Sequence, residues 1–117
     1  MNQLNYFVKY DLNKLESLGF NNSTLNELIL ELENYLTKVK EEFFIDLSSQ
    51  NDKKSYTLEM LHKLEGALHY LALTGPIDYI KKIRLLIRST PTNDIEQLVM
   101  NLFQISHDTL TKLTLRN

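Results

Sequence analysis

Residues 60–71 read Met60-Leu-His-Lys-Leu-Glu-Gly-Ala-Leu-His-Tyr-Leu71, and this stretch decides the fold class. At about 100° per residue its apolar side chains fall into one arc, which is typical of a helix that buries a single face. The arc comprises Met60, Leu61, Leu64, Ala67, Leu68 and Leu71. His62 lies opposite the centre of this arc, so the pattern predicts that its imidazole faces water.

The same helical period continues towards the N-terminus. Asp11 is a predicted N-cap for a short helix that ends at Gly19, and the residues before Asp11 predict an additional short helix or an extension of this one. A capping box over residues 24–27, with Thr24 as its N-cap, opens the longest apolar pattern in the chain. We expect that long helix to end near Ser48.

The pattern also continues towards the C-terminus, where proline and polar residues divide the helices. Ser55 is the predicted N-cap of the helix that contains residues 60–71, and we expect that helix to run to Thr74. Pro76 suits the first turn of a fourth helix, and Asn93 is the predicted N-cap of the last one. Short connections between four long amphipathic helices predict an all-α, antiparallel four-helix bundle with an additional short N-terminal helix, forming one domain over residues 1–117.

The composition excludes several classes of function. Thirteen Lys and Arg against fifteen Asp and Glu give a net charge of −2, so no broad basic surface points to nucleic acid or to membrane contact. The absence of cysteine excludes a disulfide framework and a cysteine nucleophile. No apolar run is long enough to span a bilayer, and the first residues do not resemble a signal peptide. We therefore expect a cytoplasmic protein with a protein partner.

The surface around His62 has the features of a docking site. Glu65, Gly66 and His69 lie on its outward side, and the helical count also leaves Leu58 and Leu73 there as exposed apolar residues. Gly66 lowers helix stability by about 1 kcal/mol relative to alanine. Its role is either to let another helix pack closely or to leave room for a partner.

A metal site is not expected on this surface. His62 and His69 are two turns apart, which is too far for simple chelation, and no third ligand is placed to complete the site. His107 stands alone on the last helix. The basic residues Lys81, Lys82, Arg84 and Arg88 are typical of a solvated helix face, although they could assist docking to an acidic partner.

The run His62-Lys-Leu-Glu-Gly-Ala67, followed by Tyr70, resembles the phosphoacceptor segment of histidine-containing phosphotransfer (HPt) domains. The resemblance is closest to the C-terminal HPt domains of hybrid sensor kinases of the BarA/GacS type. The leucine pattern over residues 11–18 and 25–32 is similar to the opening helices of that family, so the resemblance covers most of the chain. Two positions depart from the family: Glu65 stands where many members have lysine, and Ala72 where a glycine is usual.

The resemblance implies a phosphorelay intermediate in two-component signalling. His62 would accept a phosphoryl group from the aspartyl phosphate of one receiver domain and pass it to another, as a carrier rather than a self-sufficient catalyst. The chain would need no cofactor of its own, because the receiver domain brings Mg²⁺. Lys63 could offset the phosphoryl charge, whereas Glu65 would either oppose it or orient the imidazole by hydrogen bonding.

Two other functions remain open at this stage. The first is a helical interaction module with the HPt scaffold that binds a receiver domain or kinase without being phosphorylated. The second is a helical regulator unrelated to phosphorelay, which would leave the exposed pair His62 and Gly66 unexplained.

Overall fold

The computed structural model of the chain describes residues 3–116, and within them every regular element is helical. Two short 3₁₀ helices accompany five α-helices. The 3₁₀ helices are Gln3–Phe7 and Leu47–Ser49, and the α-helices are α1 Leu12–Ser17, α2 Asn22–Asp46, α3 Lys53–His69, α4 Thr74–Ile87 and α5 Thr92–Arg116.

The four long helices form a closed antiparallel bundle. α2 packs against α3 and α5, and α4 packs against the same two helices from the other side. The connections are short, so each helix returns beside the one before it. The buried side chains form one cluster to which all five α-helices contribute. The predicted four-helix bundle is confirmed, and the additional N-terminal elements are the first 3₁₀ helix and α1.

Helix α1 has the ends that the sequence predicts. The Asp11 carboxylate accepts a hydrogen bond of 3.0 Å from the Lys14 backbone N–H, which satisfies one of the free donors of the first turn. Gly19 follows the helix with a φ of +75°, a conformation that glycine adopts without a steric penalty.

Helices α2 and α3 begin about one turn earlier than the sequence predicts. The N-cap of α2 is Asn21, whose side chain accepts a hydrogen bond of 2.8 Å from Thr24 N–H. Asp52 caps α3 in the same way through Ser55 N–H, at 3.0 Å. Thr24 and Ser55 are therefore the donors of the two capping bonds and lie one turn inside. The sequence offers a capping residue at both positions, and each helix starts at the earlier one because this pairs more backbone groups.

The start of α5 and the end of α3 also differ from the predictions. α5 begins at Thr92, which places Asn93 inside its first turn. α3 ends at His69 rather than at Thr74, because Ala72 takes a left-handed conformation with a φ of +54°. Ala72 N–H then donates to His69 O and Leu73 N–H to Leu68 O, the two bonds of a Schellman motif. Alanine rather than glycine at the left-handed position conceals this helix end in the sequence.

The N-terminal segment crosses the turn between α3 and α4. Asp11 N–H donates to Ala72 O at 2.8 Å, and Gly75 N–H donates to Lys9 O at 2.9 Å. The Phe7 ring packs edge-on against Tyr79 of α4, with 5.1 Å between centroids. This segment therefore holds the end of the bundle nearest the C-terminus of α3.

Within residues 3–116, none of the helices combines the length and the apolarity that a bilayer crossing requires.

Candidate functional site

Helix α3 separates a buried face from an exposed one, and His62 lies on the exposed face. Leu61, Leu64 and Leu68 are completely buried on the opposite side, while Ala67 at the edge of the arc is half-buried. The predicted exposure of His62 is confirmed. The imidazole projects from the middle of α3, so the helix backbone fixes the position of its Cβ atom relative to the rest of the bundle.

The α3 backbone is anchored at its N-terminus, almost three turns before His62. Asp52 accepts hydrogen bonds from both the backbone N–H and the hydroxyl of Ser55. These bonds lower the pKa of the Asp52 carboxyl, because they favour its charged form. A charged carboxylate also suits the positive end of the helix dipole, so α3 starts at a well-defined residue.

Gly66 lies one turn after His62 and faces open space. A methyl group built on Gly66 would meet no atom within 4 Å outside its own helix. This excludes close packing of another helix of the bundle as the reason for the glycine. The alternative from the sequence remains: the missing side chain leaves a flat surface next to His62.

Lys63 and His69 are both exposed, at different places on α3 relative to His62. Lys63 lies on the side of α3 that faces α2, where it lines the groove between these helices. His69 is the last residue of α3, about 10 Å along the helix from His62 at the standard rise. Of Lys63 and His69, Lys63 is therefore the residue closer to His62 along the helix axis.

Glu65 is paired with an arginine from the neighbouring helix. Arg84 Nη1 of α4 lies 3.5 Å from Glu65 Oε2, and the two side chains are 42% and 19% exposed, respectively. From the sequence, Glu65 is expected to act only as a negative charge or as a hydrogen-bond partner of the imidazole. The structure adds a guanidinium group that neutralises this carboxylate on the α4 side of α3.

The predicted apolar patch of Leu58 and Leu73 is wrong. Leu73 is completely buried, because the turn at Ala72 directs the chain away from the extrapolated helix and into the core. Leu58 is half-buried and packs against the core cluster. A helical count gives the direction of a side chain from its own axis, but neighbouring elements decide whether it is covered.

The apolar surface next to Gly66 is instead a groove of about 550 Å³ between α2 and α3. Tyr35 and Tyr70 are exposed and stand in its lining together with Lys63 and Gly66. The remaining lining residues are Leu28, Glu31, Leu32, Ala67 and Leu71. The sequence indicates Tyr70 only as part of a motif and does not predict a role for Tyr35. The α2 pattern gives no signal for Tyr35 beyond a tyrosine outside the buried stripe.

The third histidine lies in a different part of the bundle. His107 Nδ1 is 4.0 Å from Glu33 Oε1, in a groove of about 320 Å³ between α2 and α5. Across the described residues 3–116, no three histidine, aspartate or glutamate side chains are grouped so that they could hold a metal ion. His62 therefore lies apart from His107, on the outer face of α3.

Comparison of the chain with protein-family models, with curated proteins and with solved structures finds no match. The residues and their geometry are therefore the basis for assigning a function.

Proposed function

We propose that this chain is a histidine-containing phosphotransfer domain and that His62 accepts and donates the phosphoryl group. The observation that carries the proposal is the exposed imidazole in the middle of α3, with the open surface of Gly66 one turn away. A relay residue must be reached by the active site of another protein. An exposed ring beside a residue without a side chain meets that requirement.

The chemistry of the step matches an exposed imidazole. The unprotonated ring nitrogen attacks the phosphorus atom of an aspartyl phosphate, and an N–P bond forms as the P–O bond to the aspartyl carboxylate breaks. That carboxylate leaves with the electron pair, and the other ring nitrogen keeps its proton. The reverse reaction on a second receiver domain returns His62 to its starting state.

The partner is a receiver domain, which contributes the acidic pocket and its Mg²⁺. On this chain the chemistry requires a nucleophile, an unobstructed approach and charge to balance the phosphoryl oxygens. His62 supplies the first and Gly66 the second. The groove with Tyr35 and Tyr70 offers an aromatic contact surface beside them, of the kind enriched at protein interfaces.

A second candidate function is an interaction module that binds a receiver domain without being phosphorylated. Glu65 favours it, because many HPt domains have at this position a lysine that balances the phosphoryl charge, and this chain has a carboxylate instead. The same groove would serve docking in both cases. The two functions differ in whether a covalent adduct forms on His62.

The experiment is incubation of the chain with a receiver domain of a hybrid sensor kinase that has been phosphorylated by acetyl phosphate. We expect a phosphoryl adduct on the chain that is labile in acid and stable in base, and we expect His62→Gln to abolish it without changing the circular dichroism spectrum. The matched control is His69→Gln, which removes an exposed histidine from the same helix and leaves labelling intact.

An adduct that persists in His62→Gln and disappears in His69→Gln would refute the assignment of His62. Binding of the phosphorylated receiver domain to the wild-type chain without any adduct would favour the interaction module.

A further inference from the structure

A positive charge on the α4 side of His62 comes from the neighbouring helix. Arg84 Nη1 of α4 lies 3.5 Å from the Glu65 carboxylate, and the partly buried Glu65 follows His62 by one turn on the α4 side of α3. Residues three apart on a helix are neighbours on its surface, with Cβ atoms about 5–6 Å apart. The Glu65–Arg84 pair therefore borders the imidazole.

The register of the two helices places this contact level with His62. α3 and α4 run antiparallel from the turn at residues 70–73, so by the standard rise the Cα atom of Arg84 is level with about residue 59 of α3. Helical side chains tilt towards the N-terminus of their own helix, so Arg84 reaches towards the turn and Glu65 reaches away from it. The two side chains therefore meet between the levels of residues 59 and 65 of α3, and His62 lies between these levels.

Three other cations, Lys63, Lys82 and Lys54, are directed elsewhere. Lys63 lines the α2 side of α3, and Lys82 Nζ lies 5.5 Å from the centroid of the Phe7 ring. Lys54 Nζ donates a hydrogen bond to Arg88 O at the far end of α4. Arg84 is the basic side chain that an ion pair holds beside His62.

We propose that Arg84 binds the phosphoryl group on His62, with Glu65 holding the guanidinium in place until the phosphoryl group arrives. This inference rests on the function proposed above. A guanidinium group presents its N–H donors in a planar fork that fits phosphate oxygens. A partly exposed ion pair contributes little free energy, so Arg84 can leave the Glu65 carboxylate at a small cost. The phosphoryl group carries a higher negative charge than the carboxylate and therefore attracts the guanidinium more strongly.

The proposal also explains how Glu65 is compatible with phosphorylation. Where the family commonly has a lysine on α3, this chain has an acid, and Arg84 supplies the opposite charge from α4. Without Arg84, the unpaired Glu65 carboxylate would repel the phosphoryl group. Arg84 thus both neutralises Glu65 and provides the cation for the phosphoryl oxygens.

The test uses phosphoramidate, a small donor that phosphorylates exposed histidines without a partner protein. All variants carry His69→Gln and His107→Gln, so that the adduct forms on His62 only. We compare Arg84→Gln with Lys82→Gln, which removes the same charge from the same helix, and with Arg84→Lys as the conservative variant.

The first measurement is the pKa of the phosphoryl group on His62, followed by ³¹P NMR. A nearby cation favours the dianion, so we expect Arg84→Gln to raise the pKa of the phosphoryl group and Lys82→Gln to leave it unchanged. Because lysine keeps the positive charge, we expect the pKa in Arg84→Lys to stay close to that of the chain with Arg84. The second measurement is the fraction of phosphorylated chain at equilibrium with a phosphorylated receiver domain. We expect this fraction to fall about fivefold in Arg84→Gln only.

The outcomes separate the two proposals. Equal phosphoryl pKa values in Arg84→Gln and Lys82→Gln would overturn the role of Arg84 and leave the phosphotransfer function standing. A shift in Arg84→Gln without any transfer from receiver domains to the wild-type chain would support the contact and overturn the function. Failure of both phosphoramidate and a phosphorylated receiver domain to modify His62 would overturn both.

Discussion

Gly66 and Gly75 show that the same residue type serves opposite purposes in this chain. A methyl group on Gly66 would meet nothing within 4 Å, whereas one on Gly75 would overlap the Phe7 carbonyl group and come within 2.7 Å of Lys9 N. Gly75 is therefore required for packing. Gly66 is not required for packing, so no contact in the fold compensates for its low helix propensity.

We predict that Gly66→Gln raises the free energy of unfolding by about 0.5–1 kcal/mol, because glutamine is a better helix former than glycine. Its side chain covers the approach to His62, so transfer from a phosphorylated receiver domain slows at least about tenfold. Chemical denaturation and rapid-quench transfer assays measure the two effects.

Gly66→Ala is the matched control for this prediction. It provides the gain in stability with a side chain of one methyl group, so the rate of transfer falls less than in Gly66→Gln. A loss of stability in both variants would contradict the open position of Gly66.

The N-caps illustrate how the helices begin. Asn21 and Asp52 accept the capping hydrogen bonds of α2 and α3, and the residues that donate them, Thr24 and Ser55, are capping types themselves. The sequence therefore contains two acceptable starts for each helix, one turn apart. Both starts leave the apolar face unchanged, so the error in the boundaries has little effect on the predicted core.

We predict that Asn21→Ala lowers the free energy of unfolding by about 1 kcal/mol, because it removes the acceptor for Thr24 N–H. Thr24→Ala keeps that acceptor and improves helix propensity, so its effect stays within about 0.5 kcal/mol. Urea denaturation of the two variants measures the difference. A larger loss of stability in Thr24→Ala than in Asn21→Ala would indicate that Thr24 is the N-cap, as the sequence predicts.

The N-terminal segment connects elements that are distant in the chain. Its hydrogen bonds to Ala72 and Gly75 and the contact between Phe7 and Tyr79 join residues 7–11 to the α3–α4 turn. The Tyr79 ring is buried under this segment, and its hydroxyl donates to Leu98 O of α5 at 3.3 Å. Burial raises the pKa of Tyr79, as expected for a phenol held away from water.

We predict that Gly75→Ala displaces the N-terminal segment and lowers the free energy of unfolding by about 2 kcal/mol or more, because the backbone atoms of residues 7–9 cannot make room for a methyl group in place. Hydrogen exchange provides a local readout. The backbone amides of residues 11 and 75 should exchange faster in the variant, while the amides in the middle of α5 keep most of their protection. Unchanged exchange at Asp11 would contradict the close contact.

The sequence by itself determined the class of fold and the exposure of His62. Both follow from the spacing of apolar residues along each helix, which is a local property: the leucines at 61, 64 and 68 fix which side of α3 is buried, and the histidine lies opposite. The short connections then favour an antiparallel bundle over other arrangements of the same helices. The role of His62 in phosphotransfer stays a prediction.

Only the tertiary structure decided what surrounds His62. Whether Leu73 is covered depends on the left-handed turn at Ala72, and the partner of Glu65 depends on the register between α3 and α4. Neither is encoded in the period of one helix, because each requires the position of a residue from another element. The sequence therefore identified the exposed imidazole, and the packing of the helices paired Arg84 with Glu65, one turn from His62.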